Sequence, residues 1–353
     1  MPWPDPQHQL EFLNGAILLL GVLLYALLGG ADFGGGIWDL LAGGPRAAEQ
    51  RQVIAHAIGP IWEANHVWLI FVIVLVFTIF PPVFAALSIA LYIPLSLALL
   101  GIVFRGAAFI FRTPARNVAT GAGVWDRVFA IASTVTPVFF GMAAGAVASG
   151  QIQLDSGIPV SDPWRTWLAP FPLVIGLLAL ATCAYLAAVY LTLETTGELQ
   201  EDFRRRALGA GAVFAVLAAL ALILARSGAP WIWHGLTSRA AVVAVPLGIA
   251  LALLSGWAVF ARRFRLARVA AAAEVALLLA GWALAQYPYL IVPDLTFENA
   301  AATPAMMRAA LVVFGIGALF LIPSLWFLFS IFKADLPGAV EVGYGSSSQD
   351  PLE

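Results

Sequence analysis

The strongest constraint on how this chain folds is a series of long apolar runs that contain no charged side chain. The stretch from Leu69 to Phe104 has 36 residues without Asp, Glu, Lys or Arg, whereas about 20 residues cross the hydrocarbon core of a bilayer. Over the whole chain, 61% of residues are hydrophobic and 11% are charged. We therefore predict an all-α polytopic membrane protein, because helices satisfy their own backbone hydrogen bonds in lipid.

Breaks in the apolar pattern predict nine transmembrane helices. The tripeptide Phe80-Pro81-Pro82 divides the longest run into two spans joined by a tight turn, because proline lacks a backbone donor and ends helices. Polar or charged segments separate the other spans. The predicted spans cover residues 12–39, a helix ending at 80, 81–104, 127–151, 166–193, 207–225, 240–261, 269–289 and 309–332.

Lys and Arg residues are distributed unevenly between the two sides of these spans. Of the 18 basic residues, 14 fall after spans one, three, five and seven or after the last span, and 4 fall on the other side. Cytoplasmic loops carry the excess of Lys and Arg, so we predict an outside N-terminus and a cytoplasmic C-terminus. The formal net charge of -2 argues against a nucleic-acid partner, which requires clustered basic residues in excess.

The segment Gly-Pro-Ile-Trp-Glu-Ala-Asn-His-Val-Trp-Leu-Ile (59–70) places polar groups at the start of an apolar run. Glu63 and His66 are three residues apart and share a helix face. If the helix is continuous through Pro60, His56 lies two turns before Glu63, which gives a line of titratable groups suited to proton relay. If Pro60 starts a new helix, Glu63 lies in its first turn. A purely structural Glu–His pair is the alternative to a relay.

A second acidic position, Asp32, lies in the glycine-rich segment Gly-Ala-Asp-Phe-Gly-Gly-Gly (30–36). The four-residue spacing of Gly30 and Gly34 lets another helix approach closely. Asp32 is either a buried functional carboxylate or a solvated group near a helix end. Glu274, inside the eighth span, is expected to pair at the interface or extend towards it, near Arg268.

Few residues in the chain could ligate a cofactor. A haem held by two axial ligands on the spans could use only His56 or His66 together with Met142. The one cysteine, Cys183, lies in an apolar segment, so it forms no internal disulfide and is expected to be a small buried residue. The sequence has no dinucleotide, phosphate-loop or zinc motif. We predict that the chain binds neither haem nor metal.

Five motifs along the chain match one known family, and they occur in the family's order. The chain resembles subunit II of cytochrome bd-type quinol oxidases. The motifs are Gly-Ala-Asp-Phe-Gly-Gly-Gly (30–36), Pro-Ile-Trp-Glu-Ala-Asn-His-Val-Trp-Leu-Ile (60–70), Phe-Arg-Gly-Ala-Ala-Phe (104–109), Thr-Gly-Glu-Leu (196–199) and Tyr-Pro-Tyr (287–289). Of these, the Trp-Glu-Ala-Asn-His-Val-Trp stretch is specific to the family when taken alone.

The resemblance implies a division of the nine spans into two four-helix bundles and a peripheral helix. Residues 1–152 would form the first bundle, with spans one to four. Residues 153–204 would hold a peripheral fifth span and a charged connector, and residues 205–335 the second bundle. Residues 336–353, which are rich in Gly and Ser, are expected to be a disordered tail.

The resemblance also implies a function in the bacterial inner membrane. The family couples quinol oxidation to the reduction of oxygen to water, as a heterodimer whose subunit I holds two b-type haems, one d-type haem and the quinol site. Subunit II is implied to be haem-free and to stabilise subunit I, and in some members it supplies part of a proton path from the cytoplasm. Small accessory subunits, a bound quinone and lipid are further expected partners.

The resemblance is carried over to particular residues of this chain. The family's acidic positions match Asp32 and Glu63, which with His66 and His56 are the proton-path candidates. Some relatives have a further Asp at the position of Gly29, so this chain lacks one of the acidic residues of a complete proton path. The candidates for motif or partner contacts are Trp62, Asn65, Trp68 and Arg105.

Two alternatives to this function remain open from the residues. In an ion-coupled secondary transporter, the same polar groups would bind a coupling ion, and Gly34-Gly35-Gly36 and Gly59-Pro60 would be breaks in membrane helices. Spans six to nine show no counterpart of these motifs. In a purely structural oxidase subunit, the polar residues would have no part in proton transfer.

Overall fold

The computed structural model describes the backbone of residues 6–116, 122–238 and 242–334. Within these ranges it describes all side chains except those of residues 6, 58–64, 112–116, 122 and 328–334. Residues up to Val312 form one compact unit, and a second unit begins at Val313. The predicted tail at 336–353 lies outside the described residues.

The described chain is almost entirely helical. The nine long or apolar helices are α1 (Pro6–Leu40), α2 (Ala47–Ile79), α4 (Tyr92–Arg116), α5 (Ala122–Ser149), α7 (Pro170–Leu191), α8 (Gly197–Gly228), α10 (Ala244–Phe260), α11 (Phe264–Gln286) and α13 (Pro304–Ala334). The short helices are α3 (Pro81–Ala90), α6 (Arg165–Leu168), α9 (Pro230–Leu236) and α12 (Phe297–Ala300).

Two small antiparallel hairpins complete the fold. One pairs β1 (Leu154–Asp155) with β2 (Ile158–Pro159), and the other pairs β3 (Tyr289–Ile291) with β4 (Leu295–Thr296). The backbone N–H of Leu154 donates to Asp294 Oδ2 over 3.1 Å, which connects the two hairpins. The loop at 152–165, which the sequence predicted only as a polar segment, therefore contains a β-hairpin.

The helices confirm the polytopic membrane class. Among the described residues, seven helices are long and apolar enough to cross a bilayer. The end of α2 and α3, bent by 117° at Phe80, make an eighth span if they are counted as one, and α10 is a shorter apolar helix. The number of nine spans stays a prediction.

The two prolines after Phe80 end helix α2, as predicted, but the connection that follows them differs from the prediction. Helix α2 ends at Ile79, and Pro81 occupies the first turn of α3, where its missing N–H costs no hydrogen bond. The connection to the next long helix is the ten-residue helix α3 rather than a tight turn, and α4 begins at Tyr92. Helix α2 is continuous through Pro60, so no new helix starts at this residue.

The predicted fifth span corresponds to α7. Helix α7 is apolar on every side and packs against α1, α5, α8 and α11, so most of it is buried. A Cβ at Gly141 of α5 would lie 2.6 Å from the carbonyl oxygen of Ile175, and one at Gly145 would lie 2.7 Å from Pro172. These glycines let α5 approach α7 closely. Within this chain α7 is therefore largely buried between other helices, and both the peripheral fifth span and the grouping into two bundles stay predictions.

The charged segment at the start of α8 is tied to the first half of the chain by Arg46. Arg46 Nε and Nη2 donate to the two carboxylate oxygens of Asp202, over 2.8 and 2.7 Å, and Nη1 donates to Glu198 over 2.5 Å. Gln50 Nε2 adds a hydrogen bond of 3.1 Å to Asp202. The Asp202 side chain is mostly buried, whereas that of Glu198 is 82% exposed.

This contrast predicts unequal effects for the two acidic partners of Arg46. We expect Asp202→Asn to lower the free energy of unfolding by about 1 kcal/mol, because it removes a bidentate ion pair that water does not fully screen. Glu198→Gln should change it by no more than a few tenths of a kcal/mol, roughly the value for an exposed pair. Thermal unfolding of the two purified variants would measure the difference. Equal destabilisation would contradict the assignment of Asp202 as the main partner.

Candidate functional site

Three other helices approach the glycine-rich segment of α1 closely. A Cβ at Gly34 would overlap the carbonyl oxygen of Cys183 on α7, and one at Gly36 would overlap Ser133 on α5. A Cβ at Gly29 would lie 3.0 Å from Asn65 Oδ1 on α2. Small residues therefore bring α2, α5 and α7 around one stretch of α1, as the spacing predicts.

At the centre of this packing, Asp32 forms a buried ion pair with Arg105 of α4. Arg105 Nη1 donates to Asp32 Oδ2 over 2.8 Å, Nη2 donates to Oδ1, and Nη2 also reaches the backbone oxygen of Asp32 over 3.2 Å. Asp32 is 0% and Arg105 1% exposed. Such burial requires that each charge be neutralised by the other, since an isolated ion in this environment costs several kcal/mol.

Other groups hold the Arg105 guanidinium in place. Its Nε donates to Ser133 Oγ over 2.8 Å, and Ser133 in turn donates to the backbone oxygen of Phe129 over 2.7 Å. The rings of Phe33 and Phe129 lie 4.9 and 5.0 Å from its Cζ atom, within the range of cation–π attraction. The side chain is enclosed by its own chain and has almost no exposed surface, and its contact with a partner stays a prediction.

Asn65 is the second residue that the structure brings to Asp32. Its Nδ2 donates to Asp32 Oδ2 over 3.2 Å, and the residue is 1% exposed. Both carboxylate oxygens of Asp32 therefore accept hydrogen bonds. Among the described residues, neither Asn65 Oδ1 nor the buried hydroxyl of Tyr25 has a hydrogen-bond partner. Buried polar atoms of this kind are suited to binding internal water.

The remaining predicted site residues all lie on α2. The side chains of Trp62 and Glu63 are outside the described residues, although the backbone places both on the helix. His66 is half-buried and His56 is exposed. Trp68 is buried and packs edge-to-face on Phe71, with ring centroids 5.8 Å apart. Because α2 is continuous, ten residues separate the two histidines, which is about 15 Å along the helix.

A cavity of about 60 Å³ lies beside the glycine-rich segment, between α1, α2, α7 and α11. This volume is large enough for several water molecules. Small residues form one part of its wall, and charged or hydroxyl-bearing groups form the other. The wall includes Ala31, Gly35, Ala57, Tyr190, Glu194 and Arg268.

The structure shows the surroundings of two residues that were considered as possible cofactor or metal ligands. Met142 is buried on α5 in an apolar cluster with Leu75 and Ile79, and Cys183 is buried with a free thiol, as predicted. Within the described residues, no three His, Cys, Asp or Glu side chains are grouped as a metal site would require.

The structure also reveals a polar contact that the sequence did not indicate. Glu274 of α11 is 5% exposed and accepts a hydrogen bond of 2.8 Å from Ser255 Oγ of α10. The expectation that it reaches the interface near Arg268 is wrong, because the side chain is directed into the packing between helices. Ser255 is separated from Glu274 by 19 residues, and no local sequence pattern links them.

Together, the fold and the site define a polytopic helical membrane protein with an enclosed ion pair at the meeting point of its helices. Comparison with known proteins gives the family. The family model described as cytochrome bd terminal oxidase subunit II matches residues 10–332, and the chain belongs to that family.

Several relatives are similar over much of the chain. It is 29% identical over 219 residues to cytochrome bd ubiquinol oxidase subunit 2 of Bacillus subtilis, and 30% identical over 224 residues to cytochrome bd-I ubiquinol oxidase subunit 2 of Escherichia coli K12. Each match covers 62% of this chain, but only 63% and 56% of the relatives' own lengths. The solved bd oxidase from Geobacillus thermodenitrificans contains a chain of the same fold, with a TM-score of 0.77, 22% identity and coverage of 93% of this chain and 100% of that one.

Proposed function

We propose that this chain is subunit II of a terminal oxidase that couples quinol oxidation to the reduction of oxygen to water. The observation that carries the proposal is the family match over residues 10–332. The relatives named ubiquinol oxidase subunit 2 support quinol as the electron donor. The assembly is a heterodimer in the bacterial inner membrane, with the N-terminus outside and the C-terminus cytoplasmic. Small accessory subunits, quinone and lipid are further partners.

In this proposal the chain holds no haem, and subunit I holds two b-type haems and one d-type haem. Two of the three candidate axial ligands support this division of labour. Met142 packs among apolar side chains, and His56 is exposed on α2. The apolar outer surfaces of the helices would then stabilise the haem-bearing partner.

The chain also conducts protons from the cytoplasm through the first part of α2. Asp32 is a further member of this path, and its carboxylate accepts hydrogen bonds from Arg105 and Asn65. The carriers are Glu63 and His66, with His56 towards the exposed end of the helix. The neighbouring cavity, with Ala57 in its wall, supplies water for proton entry.

The test of this path is Glu63→Gln in the purified assembly with its partner subunit. The amide keeps the shape of the side chain but cannot exchange a proton, so we expect quinol-driven oxygen uptake to fall about tenfold, equivalent to ~1.4 kcal/mol in the barrier. The reduced-minus-oxidised haem spectrum should not change, since this chain holds no haem. Oxygen uptake and the spectrum are measured on the same preparation.

Glu198→Gln is the matched control, because Glu198 is an exposed acid on the α8 side of the chain. We expect wild-type oxygen uptake from it. If Glu63→Gln also gives wild-type uptake, the chain is a structural subunit without a proton role. A lost haem spectrum would instead show that Glu63 acts on assembly.

A further inference from the structure

Three helices meet at a buried line of hydroxyl and carboxyl groups that is separate from the Asp32 site. The Tyr185 hydroxyl of α7 donates to Ser255 Oγ of α10 over 2.8 Å, and Ser255 donates to Glu274 Oε2 of α11 over 2.8 Å. All three side chains are buried. A carboxyl group enclosed in membrane helices is expensive unless it is paired, hydrated or protonated.

Among the described residues, Glu274 has no basic partner that would stabilise its ionised form. Within the described residues it makes no ion pair, and its hydrogen-bond donor is the neutral hydroxyl of Ser255. The neutral carboxylic acid is therefore the form that this environment favours, because burying an unpaired charge costs several kcal/mol.

Charged groups on the neighbouring helices are engaged elsewhere or lie at a distance along the chain. Helix α10 contains no titratable side chain. Arg268 lies six residues before Glu274 on α11 and packs over the Tyr190 ring of α7, 5.3 Å from its centroid. On α1, Asp32 is bound to Arg105. His234 of α9 lies near the opposite end of α11, where the adjacent Gly235 contacts Ala285.

The Ser255 hydroxyl can serve either protonation state of Glu274. Its single proton has two acceptors within reach, Glu274 Oε2 at 2.8 Å and the backbone oxygen of Ala252 at 3.0 Å. When Glu274 is ionised, Ser255 donates to the carboxylate. When Glu274 is protonated, the acid donates to Ser255 Oγ, and Ser255 donates to Ala252. Rotation of one hydroxyl group therefore accommodates gain or loss of a proton without movement of the helices.

The 60 Å³ cavity lies along the same two helices that carry the ends of this line. Its wall includes Tyr190, five residues after Tyr185 on α7, and Arg268, six residues before Glu274 on α11. The two helices run antiparallel at this level, so Tyr190 and Arg268 lie on the same side of the buried groups. At 1.5 Å per residue, the cavity is about 7.5–9 Å from those groups along the helix axes.

We propose that Glu274 is a proton-binding site of this chain, hydrogen-bonded through Ser255 to Tyr185, and that it exchanges its proton with water in the neighbouring cavity. The site uses none of the residues of the α2 path. It is a property of this chain's own helices, and it holds whether or not Glu63 carries protons.

Infrared spectroscopy of the purified assembly with its partner subunit tests the site directly. We expect the wild-type-minus-Glu274→Gln spectrum at neutral pH to contain the carbonyl band of a protonated carboxylic acid. The band should move to lower frequency after transfer to D₂O, because the proton exchanges with water. Ser255→Ala should keep the band but shift its frequency, since the acid loses its hydrogen-bonding partner.

Glu201→Gln is the matched control, because Glu201 is ion-paired with Arg204 over 2.6 Å and its difference spectrum should show carboxylate bands. Carboxylate bands alone from Glu274 would overturn the proposal, as would a protonated-acid band that stays at its frequency in D₂O. If Glu274→Gln does not assemble, the wild-type-minus-Ser255→Ala spectrum decides: a shifted acid band supports the site, and no change in that region rejects it. None of these readouts depends on oxidase turnover, so failure of the α2 path leaves the result intact.

Discussion

Replacing Arg105 with Gln is expected to destabilise the chain by about 3–5 kcal/mol, the typical loss when one partner of a buried ion pair is removed. The substitution leaves the Asp32 carboxylate fully buried, with Asn65 as its remaining described side-chain donor. It also removes the hydrogen bond to Ser133 and the contacts with the two phenylalanine rings. We expect little assembled protein in the membrane and a lower unfolding temperature for what remains.

A double variant separates the charge from the packing. Asp32→Asn combined with Arg105→Gln removes both charges, and it should recover part of the lost stability because no unpaired ion remains. Arg262→Gln is the control, since Arg262 is exposed and its ion pair with Glu201 at 3.2 Å contributes little. The measurements are the yield of assembled protein and its thermal unfolding. Equal stability of wild type and Arg105→Gln would show that the ion pair is not what holds these helices.

The parts of the fold that follow from local sequence were predictable. Apolar runs gave the membrane class, and the two prolines after Phe80 marked the end of α2. The spacing of Gly30 and Gly34 indicated a close helix contact, which the structure places against α7. Each of these features depends on residues within one or two helical turns, where the periodicity and backbone chemistry of the sequence are sufficient.

The parts that depend on distant residues were not predictable in the same way. Asp32 and Arg105 are 73 residues apart, and nothing in either motif indicates that one binds the other. Glu274 lies near basic residues in the sequence, which suggested pairing at the interface, but helix rotation directs it towards Ser255. The direction in which a side chain points from a uniformly apolar helix is set by packing with the other helices, and composition does not encode it.

The cavity borders α1 and α11, the helices that carry Asp32 and Glu274. Its wall includes Ala31 and Gly35, which flank Asp32 and Phe33 in the sequence, and it also includes Arg268 of the helix that carries Glu274. Water in this space would be shared by the α2 path and the Glu274 site. The glycine-rich segment therefore has two effects: it allows close helix packing and leaves room for water beside a buried charge.

Gly34→Ala is expected to have the second large effect, although it adds only one methyl group. The new Cβ would overlap the backbone carbonyl of Cys183 and would lie 2.5 Å from Ala187 Cβ, so α1 and α7 would have to separate. Overpacking of this kind costs about 1–3 kcal/mol and more where the obstacle is backbone. Separation of these helices would also disturb the contacts of Asp32, two residues earlier.

The same substitution at an open position shows whether the effect comes from the contact. Gly209 is an exposed position on α8 with no atom within 4 Å of a built Cβ, and Gly209→Ala should be neutral or stabilising by up to about 1 kcal/mol, because alanine is the better helix former. Thermal unfolding and assembly yield are compared for the two variants. If both variants behave like wild type, α1 and α7 can move apart without loss of stability. Gly34 would then not determine how the helices enclose Asp32.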